Sequence, residues 1–244
     1  MRMTAFVLAL LLSMTAPTAA QEWELYQSLE DTFEVNFPGT PTITETTYTT
    51  VLDYVLPARV YSAERAPGRY TMTVVDYSGL GALGDARSET CESGNAQCRK
   101  NDSDDIGNGY WKHDERSAMM WATSQLVRAA AGVTLLSWEW QDRVEGHALN
   151  LTNADGSRTF AYVAMHEHKL YIMEGTVPAG YPEPGLFQQS LGWIDTEGNG
   201  VRYDMLYSNT YHGMGLYPRP TAGGAVVGGG RGAGAGAAQA APGN

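Results

Sequence analysis

Residues 148–177 read ALNLTNADGSRTFAYVAMHEHKLYIMEGTV and give the clearest indication of how the chain folds. Its strand-like runs are Ala148–Thr152, Thr159–Met165 and Leu170–Val177. The first two are separated by Asn153-Ala154-Asp155-Gly156, whose Asp-Gly pair is a strong hairpin signal. The polar segment His166-Glu167-His168-Lys169 predicts a second turn. Strands joined by such short turns pair side by side in opposite directions, so the stretch predicts an antiparallel meander.

The N-terminal half contains a second group of strand-like runs. Phe33, Val35 and Phe37 alternate with polar residues, which predicts a strand with one buried face that ends at Pro38-Gly39. Ala66-Pro67-Gly68-Arg69 is typical of a hairpin turn. The remaining strand-like runs are Thr42–Val51, Arg59–Arg65 and Tyr70–Tyr77. Together they predict another antiparallel meander.

Helical periodicity appears between the two meanders. Apolar residues fall on one side of a helix from about Glu115 to Ala131, and Gly132 ends it. Val133–Val144 returns to strand, Gly185–Trp193 is predicted as a short helix, and Val201–Ser208 as a last strand. The predicted fold class is therefore α+β, with an antiparallel sheet of two meanders covered by helices.

Several short sequence segments, together with this order of predicted elements, resemble the Mog1/PsbP-like fold of exported bacterial proteins. The segments are Phe33–Pro41 (FEVNFPGTP), Tyr70–Val74 (YTMTV), Gly146, Asp155-Gly156, Leu170-Tyr171 and Phe187–Trp193. The resemblance covers about residues 30–195 and rests on short strand, turn and helix segments rather than on residues with a chemical role. It implies the fold and a non-enzymatic binding or accessory role, and no binding residue can be carried over from it.

The first twenty residues, MRMTAFVLALLLSMTAPTAA, have the pattern of a secretory signal peptide. Arg2 gives a positive start, Ala5–Met14 is apolar, and Thr18-Ala19-Ala20 offers small residues for cleavage before Gln21. The apolar run is shorter than the roughly 20 residues that span a bilayer. We therefore expect no membrane span after cleavage, and a periplasmic or secreted protein.

The rest of the chain is acidic and ends in a low-complexity tail. Removal of the signal peptide would remove Arg2 and leave 15 of the 16 basic residues against 27 acidic ones, a net charge of −12. Nucleic acids and anionic membranes bind clustered Lys and Arg, so neither is expected as a partner. Residues 22–217 are predicted to form one domain, and the Gly/Ala-rich residues 218–244 a disordered tail.

Residues 79–109 are predicted to be a long loop or insertion that carries Cys91 and Cys98. These are the only cysteines of the chain. In an exported protein such a pair predicts a local disulfide. The alternatives are a redox pair or half of a metal site, although catalytic dithiols usually lie two residues apart and no further Cys completes a zinc site.

Two groups of residues have the chemistry of metal ligands. On an extended strand His166 and His168 would point the same way and could hold copper or zinc. The oxygen-rich cluster Asp102, Asp104 and Asp105 suits calcium, but its spacing does not fit the EF-hand pattern. The alternatives are a polar turn for the histidines and solvated acidic chain for the aspartates. No cofactor is predicted beyond these candidates.

The sequence shows no motif of a catalytic nucleophile, a zinc hydrolase or a phosphate-binding loop. Trp138 and Trp140 fall on one face of a strand, where packing is the expected fate and a ligand surface the alternative. We expect a non-catalytic binding or accessory protein that meets an envelope partner through residues 79–109 and the tail. A small-molecule or metal-binding protein is the second hypothesis, and a hydrolase without a recognisable motif is the third.

Overall fold

The computed structural model describes residues 23–90 and 110–208. The strands of the first half are β1 (Trp23–Ser28), β2 (Phe33–Pro38), β3 (Thr42–Thr49), β4 (Val55–Arg65) and β5 (Gly68–Asp76). The helices are α1 (Leu80–Thr90), α2 (Tyr110–Ala129) and α3 (Gly185–Gln188). The strands of the second half are β6 (Gly132–Gln141), β7 (Val144–Thr152), β8 (Arg158–His166), β9 (Lys169–Val177) and β10 (Gly192–Trp193).

The strands form two antiparallel sheets, one of three strands in the order β1-β2-β10 and one of seven in the order β3-β4-β5-β9-β8-β7-β6. The predicted α+β class, a sheet of two meanders covered by helices, is therefore wrong. The described part of the chain is mostly β, and a second sheet packs on one face of the large one. Among the described residues there are three helices, one of only four residues.

The small sheet is built from chain segments that lie far apart in sequence. Phe33 on β2 pairs with Trp193 on β10, and both side chains are fully or almost fully buried. Residues 192–193, predicted to end a helix, are thus a strand, and α3 stops at Gln188. The indole N–H of Trp193 donates to the carbonyl of Gln141 at 3.1 Å, which ties the small sheet to the end of β6.

Two hydrophobic clusters fill the faces of the seven-stranded sheet. The first joins Phe33 and Trp193 of the small sheet to Tyr61, Met72 and Met173 of the large one. The second lies on the opposite face and contains apolar residues of α1, α2 and five strands of the large sheet. On that face α2 packs mainly over β7, β8 and β9.

The helix predicted over 115–131 is confirmed in substance, because α2 spans Tyr110–Ala129. The loop predicted from residue 79 is wrong for Leu80–Thr90, which form α1 and bury Leu80. The strand predicted over 133–144 is divided by a two-residue hairpin turn at Asp142 and Arg143, both with positive φ. The last predicted strand, 201–208, forms only isolated bridges, one of them between Tyr207 and Val144.

Several predictions concern residues outside the described ranges. They are the signal peptide (1–20), the Cys91–Cys98 disulfide, the acidic cluster Asp102, Asp104 and Asp105, and the tail (218–244). In residues 23–90 and 110–208, no helix combines the length and the apolar character needed to cross a bilayer.

Candidate functional site

Strand β6 forms one end of the seven-stranded sheet. It pairs with β7, and no other described strand lies beside it. We call the side of β6 away from β7 its outer edge. Large apolar side chains stay exposed along the strand, with exposed fractions between 39% and 55%: Val133, Leu135, Leu136, Trp138 and Trp140. A monomeric sheet usually protects such an edge with charged residues or proline.

Trp138 and Trp140 form an exposed aromatic pair on β6. Their ring centroids lie 5.4 Å apart with an interplanar angle of 52°, and about half of each side chain is exposed. The Trp138 indole N–H donates to the carboxylate of Glu145 at 3.3 Å, which fixes its ring against β7. The expectation that both residues pack inside the protein is therefore wrong.

The position of α2 explains this exposure. Trp138 and Trp140 pair with His147 and Glu145 of β7, on the sheet face that carries α2. The helix reaches β7 through a 2.8 Å hydrogen bond between Thr123 Oγ1 and His147 Nδ1. Its main packing is over β7–β9, so the end strand extends beyond the helix.

The backbone of β6 also directs hydrogen-bonding groups outward. The amide of Glu145 donates to the carbonyl of Tyr207 at 3.0 Å, on the side of β7 away from β6. Opposed residues of an antiparallel ladder alternate between pairs that hydrogen-bond to each other and pairs that do not. Because the amide of Glu145 points away from β6, Glu145 and Trp140 form a pair of the second kind. The N–H and C=O groups of Trp140, Trp138 and Leu136 therefore point to the outer edge.

Three acidic side chains lie around the β6–β7 hairpin: Glu145 on the face of the tryptophans, Glu139 on the other face and Asp142 in the turn. Glu145 accepts hydrogen bonds from Trp138 and from the hydroxyl of Ser208 at 2.5 Å. Glu139 lies between the two tryptophans in sequence and accepts a hydrogen bond from Ser137 at 3.1 Å. Asp142 forms an ion pair with Arg202 at 3.1 Å. The outer edge of β6 thus combines apolar rings, open backbone groups and local negative charge.

The structure does not bring His166 and His168 together. Both Glu167 and His168 have positive φ, so they form the two-residue turn between β8 and β9, and His166 pairs with Lys169. His168 is therefore in the turn and not two residues further along a strand. The two rings have separate partners, on elements that cover opposite faces of the large sheet.

His166 lies in an aromatic enclosure and is fully buried. Its Nε2 hydrogen-bonds to the hydroxyl of Tyr203 at 2.5 Å, and its ring centroid lies 4.4 Å from that of Trp193. Burial, aided by the positive charge of Lys169, lowers the pKa of His166 to about 3. His166 is therefore a neutral core residue at neutral pH.

His168 is bound to helix α2. Its Nδ1 lies 2.7 Å from the carboxylate of Glu115, whose hydrogen bond raises the pKa of His168 despite partial burial. Within the two described ranges, no three His, Cys, Asp or Glu side chains converge in a group that could hold a metal ion. The aspartates of the predicted calcium site lie outside those ranges.

Sequence reasoning missed the outer edge of β6 as a site. The alternation of Trp138 and Trp140 with Ser137 and Glu139 does give the correct common face for the tryptophans. It carries no information on how far the helix covers that face. The signal that could have found the edge is the absence of Lys and Pro from an apolar strand, GVTLLSWEWQ.

Comparison of the chain with protein-family models and with curated proteins found no match. The resemblance to the Mog1/PsbP-like fold therefore stays a prediction, and the site is interpreted from its own geometry.

Proposed function

We propose that this is an exported, non-catalytic binding or accessory protein of the bacterial cell envelope, acting in the periplasm or after secretion. Its binding surface is the outer edge of β6, and its partner is an envelope protein that adds an extended segment to that edge. The observation that carries this proposal is the exposure of Trp138 and Trp140 on an end strand with open backbone groups.

The two end strands of the large sheet differ in a way that supports this assignment. β3, at the other end, reads TITETTYT and is dominated by threonine, a composition that leaves few apolar groups for a partner. β6 instead carries Leu136, Trp138 and Trp140. An extended peptide that joins a sheet edge gains main-chain hydrogen bonds for affinity, while its side chains contact neighbouring positions for specificity. Of the two end strands of the large sheet, β6 exposes five large apolar side chains and β3 exposes Ile43.

The charges around the edge favour a partner segment with basic and apolar residues. Glu139 is adjacent in sequence to Trp138 and Trp140, and Glu145 pairs with Trp140 across the ladder. A Lys or Arg on the partner strand could meet Glu145 and also stack on an indole ring, because aromatic faces attract cations. Glu139 points to the other face of β6, where a second basic residue of the partner could meet it. Electrostatic complementarity of this kind mainly increases the association rate and the specificity.

The surroundings of the histidines favour binding over the metal-dependent and hydrolytic alternatives. His166 is enclosed by aromatic rings and held neutral by burial, so it is poorly placed to take a proton from a substrate. His168 is hydrogen-bonded to Glu115 instead of facing His166. The small-molecule hypothesis has separate support in a polar groove elsewhere on the sheet.

The proposal is tested by capture of partners from envelope extracts with the immobilised mature protein. The test variant is the double substitution W138A/W140A, and the control is I43A, which removes an apolar side chain of similar exposure (49%) from the opposite end strand. We expect the same partner to bind the wild type and I43A but not W138A/W140A. Equal recovery by all three proteins would show that β6 is not the binding surface.

A further inference from the structure

A second feature of the large sheet is a polar groove of about 940 Å³. It lies where three connections meet at one end of the sheet: the β4–β5 turn, the β7–β8 turn and the segment after β9. The volume is within the range of pockets that hold small molecules. Unlike the outer edge of β6, the groove combines small apolar residues with four charged and three hydroxyl-bearing side chains.

The charged side chains that line this groove are the carboxylates of Glu64, Asp155 and Glu174 and the guanidinium of Arg69. Glu174 on β9 pairs with Thr71 and Ala161, and Arg69 on β5 pairs with Thr176 on one side and with Glu64 of β4 on the other. Since Glu174 and Thr176 are two residues apart on one strand, they share a face, and Arg69 lies on that face as the partner of Thr176. The carboxylate and the guanidinium therefore belong to the same wall of the groove.

Glu174 and Arg69 have no hydrogen-bonded partner within the described residues, although their charges act on each other and that of Arg69 also acts on Asp155. Glu174 and Arg69 make no hydrogen bond or ion pair there, with each other or with any other group. Partial burial raises the pKa of the Glu174 carboxyl, and the charge of Arg69 opposes this only in part. A carboxylate on a central strand without a hydrogen bond costs stability, and such a cost is commonly retained at functional sites.

The polar groups beside the two charges are already ordered. The hydroxyls of Thr159 and Thr176 hydrogen-bond to each other at 2.9 Å. The Asn153 side-chain amide donates to Thr159 at 2.9 Å and to Ser157 at 2.9 Å. This network holds the wall in place, while Glu174 and Arg69 take no part in its hydrogen bonds. Preorganised polar groups of this kind lower the cost of ordering a site on binding.

We propose that the polar groove binds a small zwitterion, an α-amino acid or short peptide that carries both an ammonium and a carboxylate group. Glu174 accepts hydrogen bonds from the ammonium, and Arg69 donates to the carboxylate. A ligand with both charges is favoured over one with a single charge, because it can form hydrogen bonds with both Glu174 and Arg69, whereas a single-charge ligand leaves one of the two without any. This inference is independent of the proposed partner binding at β6.

The proposal is tested by isothermal titration of the purified protein with glycine, diglycine and triglycine, whose charges lie at increasing separations. Ethylamine and acetate serve as the single-charge probes. We expect at least one of the three zwitterions to bind, and to bind at least about tenfold more tightly than either single-charge probe. The zwitterion that binds best distinguishes a free amino acid from a peptide as the preferred ligand.

Substitutions then test the roles proposed for Glu174 and Arg69 in binding. E174Q and R69Q should each weaken binding by about tenfold or more, and E174D provides a second variant that keeps the charge and shortens the side chain. E45Q, on the exposed strand β3, is the control and should bind like the wild type. The proposal is overturned if none of the zwitterions binds at about 10 mM, or if binding is unchanged in both E174Q and R69Q.

Discussion

Arg59 and Asp31 form a two-pronged ion pair that fastens the small sheet to the large one. Arg59 donates from Nε to Asp31 Oδ2 at 2.7 Å and from Nη2 to Oδ1 at 2.5 Å. Asp31 lies in the turn between β1 and β2 and is almost completely buried, whereas Arg59 belongs to β4. Tyr61 of the same strand also donates to the carboxylate, at 2.6 Å.

This pair predicts that D31N destabilises the protein. Burial raises the pKa of Asp31, but hydrogen bonds from Arg59 and Tyr61 outweigh it and hold the pKa below the ordinary value. A group of this kind stabilises the fold above its unfolded pKa and loses that contribution as the pH falls through the folded value. We expect D31N to lower the free energy of unfolding at pH 7 by about 2–4 kcal/mol, measured by urea denaturation.

The matched control for D31N is D142N. Asp142 also pairs with an arginine, but the side chain of Arg202 is 71% exposed. An exposed pair of this kind contributes less than about 1 kcal/mol. Equal losses from the two substitutions would show that the Arg59–Asp31 pair does not hold the sheets together.

A second prediction concerns the pH dependence that His166 gives to the free energy of unfolding. Its folded pKa is lowered from 6.5 to about 3, so below pH 6.5 the unfolded chain binds a proton that the folded protein does not. The free energy of unfolding should therefore fall as the pH drops from 6.5 towards 3. The double variant H166F/Y203F removes both members of the His166–Tyr203 hydrogen bond. In this variant we expect the free energy of unfolding to fall less between pH 6.5 and 3.

H168Q is the control for the His166 prediction. The pKa of His168 is raised by Glu115, so its contribution is present at low pH and is lost as the pH rises. H168Q should therefore keep the acid-induced loss of stability. If H166F/Y203F and the wild type lose stability equally between pH 6.5 and 3, His166 is not the group responsible.

A third prediction is that E174Q stabilises the protein when no ligand is present. The pKa of Glu174 is raised by burial, so its ionisation costs stability above the unfolded pKa, and the cost is relieved as the pH falls through the raised value. E174Q removes the charge and should increase the free energy of unfolding at pH 7 by about 1 kcal/mol. A loss of stability in E174Q would indicate that a native partner of the carboxylate has been removed.

A fourth prediction separates the two sides of β6. By the alternation of the ladder, the amide of Leu136 points to the outer edge and that of Ser137 to Ala148 on β7. Proline is tolerated on an edge strand where the missing N–H faces solvent. L136P should therefore cost about 1 kcal/mol or less yet weaken partner capture, whereas S137P breaks a ladder hydrogen bond and should cost clearly more. Equal thermal midpoints for the two variants would contradict this assignment of the edge.

The parts of the fold that local chemistry determines could be predicted from the sequence. Asp155-Gly156 and Glu167-His168 form the turns of the second meander as expected, because their residues favour positive φ or tolerate it. The small sheet could not be predicted, since it depends on pairing Phe33 with Trp193 across most of the described chain. A two-residue strand such as β10 has no periodicity to detect.

The candidate sites were harder to predict than the strands, for two physical reasons. Alternation identifies the face of Trp138 and Trp140, but their exposure depends on where α2 ends its cover of the sheet. Spacing puts His166 and His168 on one face only if the chain stays extended, and the turn at Glu167 removes that condition. Glu174 and Arg69 come to one face of the sheet only through the pairing of β5 with β9.

The most direct test of the proposed function is photo-crosslinking in the native host. A photoreactive amino acid replaces Trp140 on β6 in one variant and Ile43 on β3 in the other, two positions with similar exposure. We predict a crosslinked envelope protein from position 140 and none from position 43. Crosslinking from position 43 alone, or from neither position, would contradict the assignment of the β6 edge as the binding surface.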